Sequence, residues 1–244
     1  NQVSGSLYDL FVFLHNGQPT IGAGPAWSSG TARGTGAGTT ELEAVQGIKT
    51  NKNAIDLTNG TTTYSAVPAD AATYLGTAYM TANGQTGMMF RPNAASGGTA
   101  NVLGIYNAYN RVTTRSLCRD STASWTYNST TWRAANNNAS NSVKYIDGLA
   151  RSMAEGAYYV LASTAGGGSV SKCAVDMNWS SGTPSGLLGY ANTGVSGAES
   201  MLASRNSFLP TLGLNTLSAL EASSGTSTYA GQGYYQSLSL SVEM

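Results

Sequence analysis

From Ser237 to Met244 the chain reads Ser-Leu-Ser-Leu-Ser-Val-Glu-Met, polar and apolar in strict alternation. Successive side chains on a strand point to opposite faces, so such a run has one wet face and one dry face. A helix would scatter the same apolar residues around its circumference. Cys173, Val175, Met177 and Trp179 alternate with Lys172, Ala174, Asp176 and Asn178 in the same way. Between Val102 and Ala162, aromatic and β-branched residues recur on this period and are punctuated by Asn, Gly and Ser. That stretch opens on the apolar run Val102–Tyr109 and passes through Arg111, Arg115 and Arg119. It then carries Trp125 and Trp132 among Ser and Thr, and closes on Ala157–Ala162. These residue types on a period of two are the pattern of antiparallel sheet.

Leu7–Leu14 is apolar on both parities, as in a strand covered on both faces, and Asn16-Gly17 is a hairpin turn signal. Residues 22–40 are rich in Gly, Ala, Ser and Thr and read as a long loop or an extended arm. Within it, Gly34-Thr35-Gly36-Ala37-Gly38 lacks the spacing, the preceding strand and the Lys-Ser/Thr of a phosphate-cradling loop. Strands are expected near Leu42–Ile48, Ala54–Leu57, Tyr74–Met80 and Leu212–Glu221, with a turn at Gly166–Gly168 and a short strand at Leu187–Tyr190. Residues 194–210 read as irregular, with one helical turn at Ala198–Ala203. The sum is roughly ten to twelve strands with polar connections. It predicts a single all-β domain over residues 1–244, an antiparallel β-sandwich of jelly-roll-like or Greek-key type with long Gly/Ser/Thr-rich loops.

Charge narrows the function classes. Twelve basic and twelve acidic side chains cancel, and charged residues make up 10% of the chain, against about 25% in an ordinary soluble domain. No basic patch marks a nucleic-acid partner. No apolar run approaches the ~20 residues of a membrane-spanning helix, so membrane insertion is not expected. Cys118 and Cys173 are too few for a disulfide scaffold; buried free thiols are expected, with one bridge as the alternative. The chain opens at Asn1 rather than Met, which points to a leader, arm or upstream domain before it.

Catalytic signals are sparse. His15 is the one histidine, at a strand end before a turn, and no nucleophile elbow accompanies it. No His, Cys or acidic cluster has metal-ligand spacing, so neither a metal nor another cofactor is expected. Glycoside hydrolysis needs only two carboxylates, and that class stays open. Asp9, Asp147 and Asp176 lie inside apolar runs, where pairing with Arg111, Arg115, Arg119 or Arg133 is the economical reading. On one continuous strand Arg111, Arg115 and Arg119 would share a face at intervals of about 13 Å. Each would then need its own acid, with Asp120, Asp147 or a residue of a neighbouring copy available, and at least one arginine buried and paired. Trp27, Trp125 and Trp132 are the second candidate group. Exposed beside Asn136, Asn137 and Asn138 they would form a sugar platform, and packed they would close the core. Packing is the favoured alternative, because the flanking threonines suit cross-strand pairing.

Leu7-Tyr8-Asp9-Leu10-Phe11-Val12, Pro25-Ala26-Trp27, Tyr74-Leu75-Gly76-Thr77, Tyr106–Val112, Ser124-Trp125-Thr126-Tyr127 and Thr131–Asn136 follow one another in an order that resembles a group of tailed-bacteriophage and prophage virion proteins. The resemblance covers the chain to about Tyr159. It carries strand and turn patterns and no catalytic residues. It implies a virion location, assembled in the bacterial host cytoplasm, and a structural role in a tail fibre or spike, or as a capsid decoration or head-fibre protein. Expected partners are other virion proteins and further copies of this chain, a trimer by analogy with phage fibres. The rival readings are a module that binds host-surface polysaccharide and, more weakly, a polysaccharide-degrading enzyme.

Overall fold

A computed structural model describes residues 2–166, 168–186, 188–191 and 195–244. Gly167 of the expected turn, Leu187 of the expected short strand, and Gly194 lie outside the described residues. The chain begins with β1 (Leu7–His15), β2 (Gln18–Ala26), β3 (Leu42–Val45), β4 (Ile48–Asn51), β5 (Ile55–Asn59), β6 (Thr62–Val67) and β7 (Ala72–Tyr79). The central stretch supplies β8 (Asn101–Leu103), β9 (Ile105–Asn107), β10 (Thr113–Cys118), β11 (Trp125–Tyr127), β12 (Arg133–Ala134), β13 (Ser142–Asp147) and β14 (Ala154–Thr164). The remainder adds β15 (Ser171–Met177), β16 (Gly189–Ala191), β17 (Glu199–Phe208), β18 (Gly213–Ser223), β19 (Ser227–Ala230) and β20 (Gln236–Glu243).

Strand accounts for 54% of the residues, and the helix among the described residues is one 3-10 turn, Ala135–Asn137. The all-β expectation is met. Among the described residues twenty strands replace the ten to twelve expected, because glycines and turns divide apolar runs that look continuous in sequence. Gly104 separates β8 from β9: a Cβ there would lie 2.7 Å from Thr86 Oγ1 and 2.8 Å from the Gly87 carbonyl oxygen.

Three sheets result. The first runs β3-β4-β7-β1-β2-β5-β6, with β9 also on β7; the second runs β16-β15-β18-β13-β8, with β12 also on β18. The third is centred on β14, which pairs with β17 along one edge and with β20 and then β19 along the other; β10 and β11 lie beyond these. The named strand pairs are antiparallel except β8 with β13. The second and third sheets face each other over one core, in which Val143, Tyr145, Val175 and Leu217 meet Tyr158, Val160, Leu238 and Leu240. This is the expected sandwich. The first sheet has its own cluster of Leu7, Phe11, Trp27, Leu57 and Tyr74, and Ile146 of β13 belongs to it. Strand β13 alternates Tyr145 toward the sandwich with Ile146 toward the first sheet, so both faces of the second sheet are covered.

Three local expectations are corrected. Residues 22–26 are not loop but the end of β2. Their smallness serves strand packing: a Cβ on Gly22 would sit 2.9 Å from Leu57 Cβ, and one on Gly24 2.5 Å from Thr40 Cγ2. Residues 198–203 form no helical turn. They enter β17, where Leu202 and Ser204 point inward and Met201 and Ala203 outward, a period-two pattern that small residues obscure in sequence. Strand β15 ends at Met177 rather than Trp179, because Asn178 takes a left-handed φ of 53°.

Candidate functional site

Asp9 on β1 is fully buried and holds Arg33, whose Nε lies 2.6 Å from Oδ2 and Nη2 3.1 Å from Oδ1. Thr77 Oγ1 donates to the same carboxylate at 2.6 Å, and Arg33 Nη2 donates to the Gly148 carbonyl at 2.7 Å. Burial pushes the Asp9 carboxyl up from the usual aspartate range, with Arg33 and Thr77 acting against it. The guanidinium also lies 4.2 Å from the Trp27 ring centre and 5.3 Å from that of Tyr74. Arg33 therefore ties the loop after β2 to the first sheet and to the turn after β13. Residues 27–40 are a pinned loop, not an extended arm.

The tryptophans do not form a platform. Trp27 is buried beneath Arg33, and its indole N–H has no hydrogen-bond partner among the described residues. Trp125 is buried, stacked on Tyr229 with ring centres 6.0 Å apart and planes at 16°, and its Nε1–H donates to Glu221 Oε2 at 2.6 Å. Arg133 Nε donates to Glu221 Oε1 at 2.8 Å, and the guanidinium caps the Tyr127 ring at 3.7 Å. Burial raises the Glu221 carboxyl, and Trp125 and Arg133 work against that rise. Trp132 is half-buried, just before β12. The packed alternative thus holds for Trp27 and Trp125. Glu221 escapes a reading by sequence, because it occupies an ordinary alternating position of a strand.

Two of the three clustered asparagines are tied into the chain by their side chains. Asn136 Nδ2 donates to Asp120 Oδ2 at 2.9 Å and to Thr122 Oγ1 at 3.0 Å. The buried Asp120 also accepts from the backbone N–H of Gly97 and Thr122 and from Asn141 Nδ2. Burial opposes its ionisation, but these hydrogen bonds outweigh burial and hold the carboxyl below the ordinary range. Asn138 Oδ1 accepts the Ser140 N–H at 2.9 Å, and Asn137 is exposed with a left-handed φ of 50°.

No arginine ladder forms. Strand β10 spans Thr113–Cys118, so Arg115 alone lies within it, with Arg111 before and Arg119 after. Arg111 is half-buried, donates to Ser152 Oγ at 2.7 Å and lies 3.8 Å from Glu243. Arg119 reaches the Gly233 and Pro92 carbonyls at 3.3 and 3.5 Å, and Arg115 is exposed. The buried acids Asp120 and Asp147 pair with none of the three. Asp147 instead accepts the backbone N–H groups of Leu149, Arg151 and Ser152, closing the turn after β13. The ion pairs with a fully buried acid belong to Arg33 and Arg133.

Asp176 accepts Ser185 N–H at 3.0 Å and Ser185 Oγ–H at 2.5 Å. His15 is exposed at the end of β1. Cys118 and Cys173 are free and buried, as expected, and burial pushes their thiols up to about 11 and about 12, far from nucleophilic thiolate. Among the described residues no group of three or more His, Cys, Asp or Glu could hold a metal, and no helix is long and apolar enough to cross a membrane.

The outer face of the third sheet carries a trough of about 690 Å³. Its rows follow from the register. Arg115, Ser241, Glu155 and Ser207 lie abreast on β10, β20, β14 and β17; Leu117, Ser239, Ala157 and Arg205 form the next row. Tyr159 follows, with Ser237 and Ala203 as its neighbours, and its hydroxyl is hydrogen-bonded to Arg205 Nη2. Ser241, Ser239 and Ala157 make a low floor, and Arg115 and Leu117 on β10, Glu155 and Tyr159 on β14 and Arg205 on β17 stand above it. Ser207 and Ser241 hydroxyls make no hydrogen bond, and Arg115 and Glu155 no ion pair, among the described residues. No family model matches this chain, and no curated protein matches it.

Proposed function

We propose that the protein is a non-enzymatic structural subunit on the surface of a tailed-phage particle, acting through assembly and surface contact as a homo-oligomer, with a trimer favoured. One observation supports this reading best. The buried carboxylates Asp9, Asp120, Asp147, Asp176 and Glu221 each hold a loop or a neighbouring strand in place, so the buried acids build a rigid shell. The phage assignment rests on the sequence resemblance. Oligomerisation is supported by a surface with few charges to keep copies apart. Immunogold labelling of purified particles tests the location, with label expected on head or tail and none overturning it. Light scattering tests the assembly, with a mass of one chain at high concentration counting against intrinsic trimerisation.

A second reading, a glycan-binding module, is favoured by the trough of the third sheet. Its lining holds one carboxylate, Glu155, where glycoside hydrolysis uses a pair. That suits binding better than cleavage.

A further inference from the structure

Resting on this second reading, we propose that the trough of the third sheet binds an extended acidic saccharide, one whose carboxylates are separated by neutral sugar units. Arg115 and Arg205 stand on β10 and β17, three strand intervals apart across the sheet and one row apart along it. At about 4.8 Å between strands and 3.3 Å per residue, their Cα atoms are roughly 16 Å apart. The Arg205 guanidinium is turned to the Tyr159 hydroxyl, in the row farther from Arg115, so one carboxylate does not reach both guanidiniums and an occupant that uses both carries at least two acidic groups along its length. Guanidinium is the side chain best matched to carboxylate, through paired N–H donors.

The floor between them selects the rest of the ligand. Ser241 and Ser207 present hydroxyls that donate and accept, Ser239, which donates to the Ala157 carbonyl, one that accepts, and Tyr159, its ring capped by the Arg205 guanidinium, lines the trough beside them. Glu155 stands in the row of Arg115, separated from it by Ser241. There it accepts hydrogen bonds from sugar hydroxyls and repels a chain charged at every unit. This argues against nucleic acid, which carries a phosphate at each step. An extended peptide docks by adding to an unpaired strand edge, whereas the floor strands β14 and β20 are paired on both sides.

The test is titration of the full chain with a hyaluronan hexasaccharide, which alternates acidic and neutral units, beside maltohexaose and a fully sulfated heparin oligosaccharide. The expected result is binding of hyaluronan in preference to both. Arg115→Gln and Arg205→Gln should each weaken it by about tenfold or more, the loss of one charge-assisted contact. Both arginines are exposed, so melting temperature should stay at the wild-type value. Ser241→Trp, which fills the floor from the solvent side, should abolish binding in the same folded background. Maltohexaose bound as tightly as hyaluronan would overturn the acidic-ligand inference while supporting a glycan-binding module. Tighter binding of heparin would also overturn it. Hyaluronan binding untouched by all three substitutions would place the ligand elsewhere and sink the trough assignment. Failure of all three probes would remove both the inference and the module reading.

Discussion

Trp125 and Trp132 lie seven positions apart in one Ser/Thr-rich segment, yet their environments differ in kind. Trp125 is sealed against Tyr229 and hydrogen-bonded to a buried carboxylate, while Trp132 keeps part of its ring in water. Trp125→Ala should cost about 3–5 kcal/mol in urea denaturation, the usual range for truncating a buried aromatic. Trp125→Phe keeps most of the ring but withdraws a donor from Glu221, and should cost about 1–3 kcal/mol. Trp132→Ala should cost clearly less than Trp125→Ala; equal costs would show that Trp132 also closes the core. Asp120 makes a prediction in pH. Its carboxyl is held below the ordinary aspartate value of 3.8, so the folded state binds its proton less readily than the unfolded state. The stability it contributes is therefore present above that value and lost as pH falls through the lower folded one. Asp120→Asn should flatten the acid limb of the melting-temperature profile, and an unchanged limb would assign acid unfolding to other carboxylates.

At the scale of elements, the loop between β2 and β3 is held by Arg33 more than by its own backbone. Arg33→Ala strands Asp9 without a counter-ion, and losing one partner of a buried pair costs about 3–5 kcal/mol. Limited proteolysis should then cut within residues 27–40 faster than in the wild type. Asp9→Asn with Arg33→Met removes both charges and should recover part of the loss. A double variant no better than Arg33→Ala would mean that shape, not charge, fixes the loop. Legibility in sequence follows the same divide. Strands such as β14 and β20 are visible because each alternates a more exposed and a buried face. Pairing is a different matter. Asp9 meets Arg33 across 24 positions and Trp125 meets Glu221 across 96, contacts that depend on sheet order and leave no local pattern. Gly76 illustrates the point. Its Cβ would fall 2.1 Å from the Tyr106 carbonyl oxygen, so glycine is required by the approach of β9 rather than by a turn. The trough was hidden likewise: Ser239, Ala157 and Arg205 become neighbours only once β20, β14 and β17 are laid side by side.

The whole molecule depends on the second sheet serving two neighbours. Val143 and Tyr145 of β13 enter the sandwich core, while Ile146 enters the cluster of the first sheet, where Leu214, its cross-strand partner on β18, also packs. The buried bonds reinforce this join: Arg33 donates to Gly148 directly after β13, and Asp147 closes the same turn. An unfolded first sheet would leave Ile146 and Leu214 facing water, losing about 1.5–3 kcal/mol of burial for each fully covered side chain. The two cores are thereby coupled through β13 and β18, and the chain should unfold in one calorimetric transition despite its length. Ile146→Ala is the informative variant, because it leaves the sandwich-facing side chains of β13 unchanged. If the cores are coupled, it lowers the temperature of the whole transition and keeps it single. Two resolved transitions in the wild type would show that the first sheet is an independent unit. A shift confined to one of two transitions in the variant would assign Ile146 to that unit alone.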